Sequence, residues 1–541
     1  MPADNGNDRN TMTVVDYAIA RLAKAGVKDI FGIPGDFAFP WGDAVAKNKE
    51  MKWLGVSNEL NGSYAADGYA RVNGIAALAT TYAVGEMSAL AGMMGAKAEK
   101  VPVIHLVGMP SMRLQKQPHK ILHHTLGDGV YQNFINIGAQ SACAHAILTP
   151  ENCRYEMERV ISTCLAESEP GYIIVAQDYA DMPVTGTEVP EYGPRQSDPA
   201  ELAAAVEAAA EKINAANSGC IMPSFKAARL HCQAELQALI EATALPFATV
   251  GLDKAVISES HRQYIGGYAG GFAAPHVREA VEQSDVLISA GGVLFNDFST
   301  VGFYDSLIDP DKIIRIDMDY TQIGDRVYTN VQLRDVLREL TKKVKKFDVA
   351  EYKNPELSEV TGEAGDKITQ ATLMPRYERF FKPNDIIIAD CGCSSVGMGG
   401  LKLPEGAEWH NGILWSTIGY ATPASMGTCL ADPSRRTVIV TGDGAHQLTA
   451  NELGNFYRHG AKPIMFVVNN SGYAIERVLE EYPDYEYNDL AQWYYHKLPA
   501  ALGCKDWFTA KVTTLGELDA AMATASEADT ACYIEVVMDK H

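Results

Sequence analysis

Two apolar runs in this chain end in abrupt polar clusters. "VIVT" leads into Gly442-Asp443-Gly444, and "IMFVV" leads into Asn469-Asn470. The Asp443 carboxylate, the Asn470 amide oxygen and a backbone carbonyl from the Gly472 turn would offer three hard oxygen ligands. Three are too few for an all-protein calcium cage. They suit Mg²⁺, which completes its octahedron with diphosphate oxygens and water. Gly442 and Gly444 let the backbone approach a ligand closely, and adjacent amides at a helix start suit a phosphate. Asp-Gly and Asn-Ser-Gly are also ordinary turn chemistry. The second polar pair, placed after the next strand, lifts the pattern above a chance turn.

Such groups need strands to carry them. Upstream, Thr13 can cap a helix that runs to Gly26, with Asp16 in its first turn and Val15, Ile19 and Leu22 on one face. "DIFGIP", "IAALATT" (75–81), "VPVIHLVG" (101–108) and "YIIVA" (172–176) read as buried strands separated by Ala-rich, helix-length segments. Strands apolar on both faces that alternate with helices predict a parallel sheet covered on both sides. "MPVTGTEVPEYGPRQSDP" (182–199) reads as a linker. A second α/β pattern follows in "CIMPSF", "PFATV", "DVLISAGG" and "KIIRIDMD". The polar stretch 342–367 precedes a third, with "DIIIAD", "TVIVTGDG", "PIMFVVNN" and "CYIEVVM". The expectation is an α/β chain of three doubly wound parallel-sheet domains, at 1–185, 200–345 and 365–541. The segment from Gln447 to His459 reads as one helix, stopped by Gly460. The first and third domains have room to share an architecture.

Composition narrows the function. The chain has 541 residues, 47% hydrophobic and 21% charged, which is ordinary for a globular protein of several cores. A net charge of -22 opposes nucleic acid and anionic membranes as partners. The 10 cysteines are scattered, and the pair Cys391-Gly-Cys393 lacks zinc-site spacing. Scattered thiols predict a reduced, cytoplasmic setting. The polar N-terminus has no signal-peptide pattern, and no apolar run reaches ~18 residues.

The stretch 438–476 resembles the thiamine diphosphate-dependent enzymes, whose motif is GDG, some two dozen residues, then NN. "FGIPGDFAFP", "NELNGSYAADGYAR", "LHHTLGDG", "WSTIGYATPASMG" and "SGYAIE" are similar to the 2-oxo acid decarboxylase branch, which includes pyruvate, indolepyruvate and branched-chain oxo acid decarboxylases. The resemblance implies a first domain that grips the cofactor's pyrimidine, a third that grips its diphosphate, and a central one without cofactor. It implies thiamine diphosphate and Mg²⁺ as cofactors. It also implies active sites between two subunits of a homodimer that pairs into a homotetramer.

Residue roles follow from the same resemblance. Glu59 becomes the partner of the pyrimidine N1′. A buried carboxyl with a raised pKa can share that proton and promote the imino tautomer, whose nitrogen takes the thiazolium C2 proton. The resulting ylide attacks the oxo carbon, and carbon dioxide leaves as the thiazolium takes up electrons. Ile418 sits beneath the bent cofactor, and Ser416, where relatives usually have Gly, contributes its carbonyl. Gly442, Asp443, Gly444, Ala445, Asn470, Gly472, Cys393, Ser394 and Ile475 contact the cofactor, with Asp443, Asn470 and Gly472 on the metal. Asp36, His123, His124 and Glu476 handle protons when the aldehyde forms and leaves.

Substrate size depends on Cys391, Ser395, Phe298, Ile475 and Leu479. Ile475 and Leu479 lie one helical turn apart. Small Cys391 and Ser395 favour a medium, branched or aromatic 2-oxo acid, whereas Ile475 favours pyruvate. Cys393 stands where relatives often carry Thr, and a thiol is a weaker donor. Relatives continue past the last strand with a helix that covers the site. This sequence stops at "VVMDKH", which predicts a more open site. Competing readings are a carboligase of the acyloin-forming or acetolactate synthase type, a nicotinamide or flavin oxidoreductase, and a non-enzymatic scaffold. The His123-His124 pair argues against the first. No GxGxxG with an acid about twenty residues on supports the second.

Overall fold

A computed structural model describes residues 12–117, 121–295 and 307–540. The runs become strands because they are mostly apolar, and their few polar groups find partners inside, as Thr80 does on His105. All six residues of Ala76–Thr81 and of Gly171–Ala176 are buried. The first sheet holds β1 (Asp29–Gly32), β2 (Lys52–Gly55), β3 (Ala76–Thr81), β4 (Val103–Met109), β5 (Ala144–Leu148) and β6 (Gly171–Ala176). Its order is β2-β1-β3-β4-β6-β5, and every pairing is parallel. β2 and β5 went unpredicted because their burial alternates, as suits the outermost strands they are.

The central sheet holds β7 (Gly219–Pro223), β8 (Phe247–Thr249), β9 (Tyr264–Gly267), β10 (Val286–Ala290), β11 (Ile313–Ile316), β12 (Tyr320–Ile323) and β13 (Arg326–Thr329). Its order is β13-β12-β11-β10-β7-β8-β9, and β12 and β13 join as an antiparallel edge ribbon. The sheet is otherwise parallel, as expected, and the ribbon is its one antiparallel part. The tight Gly324 turn brings β13 straight back, with no helix available to make a parallel crossover.

The third sheet holds β14 (Ile386–Ala389), β15 (Glu408–His410), β16 (Thr437–Gly442), β17 (Ile464–Asn469), β18 (Phe508–Val512) and β19 (Cys532–Val537). Its order is β15-β14-β16-β17-β19-β18, all parallel. Renumbered within the sheet, that is the order of the first sheet. In both, the chain leaves the first strand in one direction and returns on its other side. The crevice at that reversal is where doubly wound sheets bind ligands.

The chain divides into two compact units. One comprises residues 1–194 with 426–432; the other comprises 195–425 and 433–541 and so holds both the central and the third sheets. A buried ion pair stitches those two sheets together. Lys254 Nζ donates to Glu259 Oε1 (2.9 Å) and to the Leu401 carbonyl (2.6 Å), and Glu259 Oε2 accepts from the Leu403 amide (2.7 Å). Among the described residues no helix is long and apolar enough to cross a membrane.

Candidate active site

Glu59 opens the helix Glu59–Asn73. Asn58 caps it, accepting from the Asn61 amide at 2.8 Å, and Gly74 ends it at φ 90°. The Glu59 carboxyl is half-buried, and that burial raises its pKa. It lies against Gly85, where a β-carbon would stand 3.0 Å from Oε1. Glycine there leaves room for the acid.

Asp36 starts a short turn after β1. His123 Nε2 is 2.7 Å from Asp36 Oδ2. Phe37 organises both imidazoles: its ring stacks on His123 (5.0 Å, 13°) and meets His124 edge-on (5.6 Å, 88°). His124 is held at φ 58°, with Nδ1 3.5 Å from Thr81 Oγ1 at the end of β3. Burial and the neighbouring His123 lower the His124 pKa, opposed by Asp36. The structure therefore brings together three of the expected proton-handling groups, with Phe37 and Thr81 as supports that sequence reasoning missed. Their signal was present: Phe37 follows Asp36 directly, and Thr81 ends the buried strand β3.

Asp443 directly follows β16 and is 1% exposed. Its Oδ1 accepts from the Gly444 amide (2.8 Å), while the buried Oδ2 has no hydrogen-bond partner. Burial pushes its pKa up to about 6, against the pull of the amides of Gly444, Ser471, Gly472 and Asn470. The two asparagines divide their work. Asn469 is locked in the sheet, donating from Nδ2 to Glu535 Oε1 (2.8 Å); Asn470 is half-buried outside that network. Gly472 is needed for packing, since a β-carbon would collide with the Asn488 carbonyl and the Arg477 guanidinium. A β-carbon on Gly444 would meet Tyr473, whereas Gly442 has open space before it. An orphaned buried carboxylate oxygen next to an amide-lined turn fits a cation carrying a diphosphate.

The helix after Asp443 departs from expectation. It starts at Asp443, runs to Thr449, breaks into a 3₁₀ turn at Ala450–Glu452 and resumes at Leu453–His459. Thr449 causes the break's geometry: its hydroxyl donates to the Gly419 carbonyl (2.8 Å), with its own φ at -135°. Gly460 does end the helix, at φ 78°.

Ser416 sits at φ 56°, which explains why glycine suits the position; its hydroxyl donates to the Ile413 carbonyl (2.6 Å) and offsets part of that strain. Ile418 is half-buried, not a core residue. Ala445 is buried beneath the turn. Ile475 packs over Gly392, beside Cys391 and Cys393, which are both partly exposed. Burial raises the Cys393 pKa, so it stays a thiol. Ser394 and Ser395 are buried, and the Ser395 hydroxyl is turned inward onto the Gly392 carbonyl (3.1 Å). Leu479 is 47% exposed, on the helix Ala474–Leu479 that also presents Glu476 to solvent. Phe298 lies outside the described residues.

Sequence reasoning also missed Asp390, which follows β14 as Asp443 follows β16. Its carboxylate is completely buried, accepting from Thr441 Oγ1 (2.8 Å), the Cys391 amide (3.1 Å) and the Gly419 amide (3.1 Å).

With this geometry established, comparison with known proteins defines the class. Residues 12–133 match the thiamine pyrophosphate enzyme N-terminal TPP binding domain, 206–344 the central domain and 390–536 the C-terminal TPP binding domain. A protein named alpha-keto-acid decarboxylase in Mycolicibacterium paratuberculosis is 37% identical over 554 residues, covering 100% of this chain and 96% of that protein. The protein of that name in Mycobacterium tuberculosis H37Rv is 36% identical over 537 residues, covering 98% and 94%. The chain belongs to the thiamine diphosphate-dependent 2-oxo acid decarboxylase family.

Proposed function

We propose that this protein is a carboxy-lyase that converts a 2-oxo acid to the aldehyde and carbon dioxide without oxidation. The observation that carries the proposal is the buried Oδ2 of Asp443, which has no hydrogen-bond partner, at the end of β16. Mg²⁺ would be held there by Asp443, Asn470 and the Gly472 carbonyl, with Gly442, Gly444, Ala445, Cys393 and Ser394 beside the diphosphate. Thiamine diphosphate, when bound, supplies the carbon nucleophile and the electron sink for decarboxylation.

The chain's own groups do the rest. Glu59, whose pKa burial raises, is the acid that would share a proton with the pyrimidine nitrogen. Ile418, half-exposed, would lie beneath the cofactor and support it from that side. Asp36, His123 and His124 form a relay that protonates the product-forming carbon and releases the aldehyde. The lowered pKa of His124 keeps one imidazole neutral, able to take or give a proton. Glu476 stands at the leaving carboxylate. Cys391, Ile475 and Leu479 set the side chain accepted, with Ser395 contributing space because its hydroxyl faces away. The substrate is a medium, branched or aromatic 2-oxo acid, with pyruvate as the smaller alternative. In this reading the three domains span 1–185, 200–345 and 365–541, and the protein works in the cytoplasm as a homodimer paired into a homotetramer.

Carbon dioxide release from a panel of 2-oxo acids, with and without thiamine diphosphate and Mg²⁺, tests the reaction and names the substrate. Release that does not depend on the cofactor overturns it. The subunit arrangement has its own test. Glu59→Gln and Asp443→Asn proteins are each expected to be inactive. Unfolded together and refolded, they regain roughly a quarter of wild-type activity if Glu59 of one copy completes the clamp of another, since half the dimers then hold one intact site of two. No regain rejects the shared site.

A further inference from the structure

Three separate segments of the second unit are assigned to the cofactor above: the turn 391–395, the turn 416–421 and the end of β16. They are far apart in sequence, so something must fix their relative positions to a fraction of an ångström. One side chain touches all three. The Asp390 carboxylate accepts the Cys391 amide on the first, the Gly419 and Ala421 amides on the second, and the Thr441 hydroxyl on the third. It lies at the crevice where the strand order reverses, between β14 and β16. Gly419 is gripped from the other side as well, because Thr449 Oγ1 donates to its carbonyl at 2.8 Å. A second buried link, Thr422 Oγ1 to His446 Nδ1 at 2.9 Å, with Tyr533 on Nε2, holds the residue after Ala421.

We propose that Asp390 is a positioning residue: its one buried carboxylate sets the register between the Ile418 turn and the diphosphate clamp, and so the bend imposed on the cofactor. This rests on the thiamine diphosphate reading of the site. Asp390 touches neither cofactor nor substrate. It acts through the Gly419 and Ala421 amides on Ile418, which precedes them. Core packing alone would not require four donors from three segments on one acid. A buried carboxylate is costly unless satisfied, and here each donor comes from a segment assigned to the cofactor.

The test compares Asp390→Ala, Asp390→Asn and Thr449→Val with wild type. Affinities for thiamine diphosphate with Mg²⁺, and for inorganic diphosphate with Mg²⁺, are read from tryptophan fluorescence; Trp415 immediately precedes the 416–421 turn and is 42% exposed. Thermal midpoints and steady-state kinetics are measured on the same proteins. In Asp390→Ala, thiamine diphosphate binding weakens about tenfold, as two lost amide hydrogen bonds imply. Inorganic diphosphate binding stays within about twofold, and kcat falls more than KM rises. Asn still accepts from both turns, so Asp390→Asn restores affinity and kcat to near wild type. Thr449→Val repeats the pattern at smaller size and carries the test if Asp390→Ala fails to fold. A fall in thermal midpoint with both affinities unchanged overturns the proposal, as does equal weakening of both ligands. Wild-type protein that binds inorganic diphosphate but not thiamine diphosphate overturns the cofactor reading itself.

Discussion

The first and third sheets have the same strand order and opposite chemistry at their crevices. After its first strand, the first sheet presents Asp36, 40% exposed in its side chain and paired with an exposed His123. At the equivalent place the third sheet buries Asp390 completely among donors. After the third strand, one has Thr81 supporting His124 and the other has Asp443 with an unused oxygen. The topology supplies two similar crevices. On the reading proposed above, exposure decides which crevice handles protons and which serves as an anchor. A relay must reach substrate and exchange protons, whereas an anchor works best where water cannot compete. The central sheet shows a third outcome. There Lys226 donates to Asp317 at 2.9 Å, and a β-carbon on Gly292 would collide with that carboxylate. The acid after β11 is taken up by an ion pair of the sheet's own.

The comparison can be broken by titration. His105 on β4 is fully buried against Thr80 Oγ1 (2.9 Å), and burial lowers its pKa to about 3 from 6.5. Its contribution is intact above pH 6.5 and is lost as pH falls, ~1.4 kcal/mol per pH unit and ~5 kcal/mol in all. Relative to His105→Gln, wild type should therefore lose stability steadily below pH 6.5 in urea unfolding. A parallel pH profile for the two proteins refutes it.

At the active site, Glu59→Gln is expected to lower kcat about 10³-fold, the scale of a lost proton-handling group, with little effect on thermal stability because the carboxyl is only half-buried. Steady-state carbon dioxide release checks it; a loss under tenfold would demote Glu59 from its role.

Asp390 should show the opposite pH sign to His105. Burial lifts its pKa to about 6 from 3.8, so the folded state holds its proton more tightly than the unfolded one. Relative to Asp390→Asn, wild type gains ~3 kcal/mol as pH drops from 6 to below 4. The same urea series reads both residues, and like signs for the two would collapse the contrast between the sheets.

The smallest effects concern backbone strain. Ala83, after β3, has φ 55° and no polar side-chain atom to compensate, so Ala83→Gly should stabilise by ~1 kcal/mol. Ser416→Gly should gain less, because Ser416 has its own bond to Ile413. Thermal melts rank the two, and the reverse ranking would discount the serine hydroxyl's help.

Much of this was legible in the sequence. The expected strand in "TVIVTGDG" is Thr437–Gly442, and that in "PIMFVVNN" is Ile464–Asn469, so Asp443 and Asn470 do follow strands directly. Thr13 caps its helix, accepting from Asp16, and Gly26 follows that helix at φ 102°. Less legible were β9, β15 and β18. Each is short or only partly apolar and becomes a strand because a neighbour offers unpaired backbone groups.

By itself, then, the amino-acid order settled what local physics controls: which runs are too apolar to stay in water, where a cap or a glycine ends them, and which acids and amides fall at their ends. The folded chain decided which of those groups meet. That Asn469 belongs to Glu535 and leaves Asn470 outside, that Thr449 bends its own helix to reach Gly419, and that Asp390 joins three turns all depend on strand order. Hydrogen bonds between distant segments have no period or spacing in the sequence. They are set when buried donors, brought together by sheet topology, must each find an acceptor.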